Sequence, residues 1–118
     1  MAKRKQRRRP GQPVPSSDYA DADGNVLSLR QTLSAGTIAK IGEAPAGAAS
    51  SLDDAWRRRT EMLFERLAVR WEIAGAEPIT RQKELLARFR FASAAERRWI
   101  RDVLREHLAE HFPDMAAP

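Results

Sequence analysis

Near one end of the chain, His107-Leu108-Ala109-Glu110-His111 spells H-x-x-E-H. Two histidines four residues apart on a helix can share a divalent metal, and the glutamate beside them can serve as general base on a metal-bound water. The surrounding sequence argues against that chemistry. A hydrolytic zinc takes three protein ligands, and seven residues follow His111. Projected at 100° per residue, both imidazoles fall near the middle of an apolar stripe, while Glu110 falls toward its edge. Packing histidines in contact with tryptophans are therefore expected, with no metal and no other cofactor. The chain has no cysteine, which excludes thiolate zinc sites, disulfides and cysteine nucleophiles. Its serines show neither nucleophile-elbow nor phosphate-loop spacing. No catalytic constellation emerges, and a non-enzymatic protein is expected.

The arginines and lysines carry a different chemistry. Lys3, Arg4, Lys5, Arg7, Arg8 and Arg9 supply six positive charges, and the whole chain of 118 residues has a net charge of +5. Residues 10–118 therefore sum to −1, so the basicity belongs to an arm and not to the folded body. Blocks of this density neutralise phosphates with a salt-dependent, sequence-indifferent affinity. Pro10, Gly11, Pro13 and Pro15 beside them make residues 1–17 an extended, solvated arm. A second set, Arg97, Arg98, Arg101 and Arg105, projects from one outward face of a helix and could grip a phosphate backbone without reading bases. Asp102 and Glu106 interleave with it, so a solvated face competes with that reading. Arg57-Arg58-Arg59 point in three directions and form no single cluster. The three tryptophans all occupy apolar stripes, where core packing outweighs base stacking. A helix-turn-helix aligned on Phe91-Ala92-Ser93 fails, because it puts Arg97 where that unit needs an inward apolar residue.

The elements that must position these residues centre on 51–74, SLDDAWRRRTEMLFERLAVRWEIA. Read as one long helix, it places Leu52, Trp56, Leu63, Phe64, Leu67, Trp71 and Ala74 on one stripe. Ala55, Met62, Val69 and Ile73 then fall on a second stripe nearly opposite. A helix apolar on two sides must be covered twice. Gly75 and Pro78 close it. Thr80 is expected to cap a second helix to about Phe91. Ser93 and Glu96 form a capping box that opens a third, ended by Pro113. Upstream, Asp23-Gly24-Asn25 is a strong turn signal that short strands could flank as a hairpin. Residues 28–41 are ambiguous: Ser28 with Gln31 suggests one helix, and Ser34 or Thr37 could start a shorter one. Residues 42–50 read as a linker.

The expected fold is all-α, a small three-helix bundle with room for one short extra N-terminal helix or a hairpin. Its expected divisions are a disordered basic arm (1–17), a capping segment and linker (18–50), a helical domain (51–113) and a frayed tail (114–118). No apolar run approaches the roughly 20 residues of a membrane span, and the basic N-terminus lacks the apolar core of a secretion signal, so cytoplasmic residence without membrane contact is expected. The expected function is binding of nucleic acid or a nucleoprotein through Lys3, Arg4, Lys5, Arg7, Arg8 and Arg9, with Arg97, Arg98, Arg101 and Arg105 as secondary contacts. The body would supply a docking or homodimer surface. The alternatives are a protein-interaction adaptor and, remotely, a zinc hydrolase on H-x-x-E-H.

Overall fold

The computed structural model describes residues 15–42 and 52–115, with side chains from residue 56 onward in the second stretch. The arm residues 1–9 and nearly all of the 42–50 linker lie outside these. Among the described residues the fold is mixed, not all-α: three strands and four helices. The strands are β1 (Ser16–Ala20), β2 (Val26–Arg30) and β3 (Ala68–Glu72), and the helices are α1 (Ala35–Gly42), α2 (Leu52–Leu67), α3 (Gln82–Arg90) and α4 (Ala94–His111).

The expectation of one helix across 51–74 is corrected at Leu67. There α2 passes directly into β3, with no residue between them. The reason lies in a change of period. From Val69 onward the sequence alternates apolar and charged, Val69-Arg70-Trp71-Glu72-Ile73, and β-branched and aromatic side chains suit a pleated surface. Val69 and Ile73 supplied half of the second stripe, so the helix apolar on two sides was a helix and a strand read at one angle. Met62 and Ile73 do pack against the core, but from two different elements.

The turn signal at Asp23-Gly24-Asn25 does close a hairpin of β1 and β2. The Asp21 carboxylate accepts from the backbone N–H groups of Asp23 (2.9 Å) and Asn25 (3.0 Å) and from the Asn25 side chain (2.8 Å). Gly24 takes φ +88°, a conformation costly for any residue with a Cβ. Asn25 then accepts from the Ala74 N–H at 2.9 Å, tying this turn to the one that follows β3.

The sheet is antiparallel in the order β1-β2-β3. Tyr19, Leu27 and Trp71 lie opposite one another and share a face with Ser17 and Leu29. That face meets the helices. On the other face Ser28 donates to Asp18 at 2.6 Å, so Ser28 is a strand residue and caps no helix. Ser34 starts α1 instead, accepting from Thr37 N–H at 3.1 Å.

The core gathers Leu27, Leu29 and Trp71 from the sheet with Leu63, Phe64, Leu67, Leu85, Phe89, Ile100, Leu104 and Leu108 from the helices. Phe64 is its hub, stacked on Phe89 at 4.8 Å and edge-on to Trp71 at 5.7 Å. The box at Ser93 and Glu96 is formed in both directions, at 3.1 and 2.8 Å. The cap at Thr80 is not formed: Arg81 precedes α3 with no side-chain cap.

Candidate functional site

The first half of α4 faces the early turns of α2 across the end of α3, and between them lies a cleft of about 400 Å³. Trp56 and Thr60 of α2 and Phe89 of α3 form its apolar walls, and Arg57, Arg97, Arg98 and Arg101 surround them. The Arg101 guanidinium lies over the Trp56 ring at 5.3 Å, and that of Arg97 over Phe89 at 5.7 Å. Such stacking holds a guanidinium by its face and leaves its edge to bind oxygen. Arg97 Nη2 also donates to the Arg90 carbonyl at 2.7 Å. The Nε atoms of Arg97 and Arg101 are shut off from solvent with no hydrogen-bond partner among the described residues.

Among the described residues no carboxylate lines the cleft. Two acidic side chains close to it in the sequence are engaged elsewhere. Glu61 accepts from Arg90 at 2.8 Å and Glu96 from Arg88 at 2.7 Å. Burial works to raise the Glu96 pKa, but the bonds from Arg88 and Ser93 outweigh it and hold this carboxyl below its ordinary value. Arg97, Arg98 and Arg101 form no ion pair among the described residues, while Arg88 and Arg90 take up these two acids.

Arg97, Arg98 and Arg101 of the expected set are brought together here, whereas Arg105 does not line the cleft. Asp102 forms no ion pair with Arg98 among the described residues. Sequence reading missed Arg57 and Trp56. In the sequence Arg57 diverges from its neighbours, and Trp56 falls on the core stripe. The signal available was the coincidence of Trp56-Arg57 with Arg97-Arg98 on facing helices, which only the tertiary fold supplies.

The two histidines serve the fold. His107 is fully buried, and Tyr19 Oη lies 2.7 Å from its Nδ1 and the Arg30 carbonyl 2.6 Å from its Nε2. A carbonyl can only accept, so Nε2 carries the proton and Nδ1 accepts from the tyrosine. Both ring nitrogens are thereby used, leaving no lone pair for a metal. Burial pushes the His107 pKa below its ordinary value, although the bond to Arg30 works the other way. His111 Nε2 sits 3.2 Å from Ser17 Oγ. Contact with tryptophans is corrected: the aromatic rings beside His107 are Tyr19, His111 and Phe112. Among the described residues no group of three possible metal ligands is found, and no helix is long and apolar enough to cross a membrane.

A second hollow of about 530 Å³ lies at the other end of α4, beside Ile38, Arg59, Phe112, Pro113 and Met115. Its lining is mostly apolar, and Ile38 is 40 % exposed there. Pro15 marks where the basic arm joins the described chain, and its carbonyl accepts from Gln31 N–H at 3.1 Å. Ser17, two residues on, touches His111. The start of the described chain and the cleft therefore stand toward opposite ends of α4, about 21 Å apart along the axis at 1.5 Å per residue from Arg97 to His111. No protein-family model, no curated protein and no solved structure matches this chain.

Proposed function

We propose that this is a non-catalytic accessory protein that binds nucleic acid or a nucleoprotein, in the cytoplasm, through its basic arm and the arginine cleft together. The observation that carries the reading is a cleft lined, among the described residues, by four guanidiniums and no carboxylate, with two of the guanidiniums lying over aromatic rings. A phosphate diester supplies the anionic oxygens that such edges bind. Thr60 donates its hydroxyl to the Trp56 carbonyl at 2.8 Å, and arginine holds its proton throughout the physiological range. The described lining of the cleft thus suits binding rather than proton transfer. The arm supplies non-specific attraction, and the cleft a fixed point of attachment.

Nucleic-acid retention measured against salt tests this. Affinity of the full chain is expected to fall linearly on a log–log plot, and deletion of residues 1–9 to flatten the slope by up to about 4–5, the value for six phosphate contacts. R98A/R101A in the full chain is expected to weaken binding several-fold without unfolding the protein. Equal and negligible binding by all three proteins at low salt would overturn the reading. The protein-interaction adaptor would then lead, with the apolar hollow beside Ile38 and Phe112 as its docking surface.

A further inference from the structure

We infer that the nucleic acid bound at the cleft is single-stranded, and that Phe91 is the platform on which one of its bases stacks. The inference rests on the polyanion reading above and adds to it the class of strand. Phe91 is 86 % exposed, a larger exposure than that of any other large apolar side chain described. It follows α3 directly, and its position is fixed: its backbone N–H bonds to the carbonyls of Ala87 and Arg88, both at 3.2 Å. The next residue, Ala92, lines the cleft and packs against the core, while Arg97 reaches past to hold the Arg90 carbonyl. Phe91 therefore stands next in the chain to the cleft's lining, on ordered backbone, with its ring in water.

An aromatic ring on ordered backbone beside phosphate-binding guanidiniums fits an unpaired base, whose face is free to stack while the adjoining phosphate enters the cleft. Duplex bases bury their faces against one another and leave such a ring without a partner. The aromatic rings inside the cleft cannot take the role, because Arg101 covers Trp56 and Arg97 covers Phe89.

The full chain is tested by fluorescence anisotropy with labelled oligothymidylate and oligouridylate of about 12 nucleotides, within the span one small domain covers, and with a duplex of equal length. F91A is expected to weaken both single strands about tenfold and to leave duplex affinity and thermal midpoint unchanged; F91W is expected to restore single-strand binding. A larger loss on oligouridylate than on oligothymidylate would assign the site to RNA, and the reverse to DNA. If F91A binds single strands as the unmodified chain does, while R98A/R101A still loses affinity, this inference fails and the polyanion reading survives. If the full chain binds neither strand form at low salt, both fail.

Discussion

At the scale of single residues, His107 has the most determined surroundings in the molecule. Its two ring bonds join α4 to both strands of the hairpin, through partners 88 and 77 residues away. Burial raises the Tyr19 pKa, with Glu106 and Glu110 adding to the shift, so the phenol stays a donor. The unfolded chain takes up a proton on this imidazole near pH 6.5, and the folded chain resists it. The unfolded state thus binds more protons as the pH drops below about 6.5, and stability present above that value drains away toward the lower folded pKa. Urea unfolding followed from pH 8 to 5 is expected to show this decline, and H107Q to flatten it while lowering stability throughout. Tyr19→Phe is expected to cost about 1–3 kcal/mol at pH 8, because it strands a buried acceptor. The sequence placed His107 correctly on an apolar stripe and misjudged its partners. Local periodicity says which side of a helix is buried but not what lies against it.

At the scale of elements, the capping box at Ser93, the hairpin turn at Asp23-Gly24-Asn25 and the third helix were legible, because each depends on residues a few positions apart. The strand at 68–72 was not. Five residues offer too few alternations to outweigh sixteen preceding helical ones, and β3 forms by pairing with β2, some forty residues earlier. Trp71 shows what tertiary pairing adds. It exchanges both backbone hydrogen bonds with Ile79 at 2.9 Å, lies opposite Leu27 and is 1 % exposed. Trp71→Ala is expected to destabilise by about 3–5 kcal/mol, against about 1 kcal/mol for Ser93→Ala, in chemical unfolding at neutral pH. If the two losses are equal, Trp71 is not the keystone of the strand.

At the scale of the whole molecule, a hairpin and one later strand make a sheet whose inner face is closed by α2, α3 and α4. The arginine cleft exists only because that closure sets the early turns of α2 against those of α4. Three of its four guanidiniums, Arg97, Arg98 and Arg101, share one helix and can be grouped from spacing alone, whereas the aromatic residues and Arg57 join them only through the fold.

The seamless passage from Leu67 to Ala68 has a further consequence, for descent. The one irregularity there is at Val69, where the register with β2 slips by a residue, and beyond it the strict alternation of β3 dictates which way each side chain looks. One alanine spliced between Arg70 and Trp71, past that irregularity, would present Glu72 to the interior and turn Trp71 outward. That variant is expected not to fold, whereas the same alanine after Glu77, in an exposed turn, is expected to leave a cooperative unfolding transition in urea. Any lineage carrying this architecture is then free to lengthen its turns, while the count of residues from Phe64 to Trp71 stays invariant.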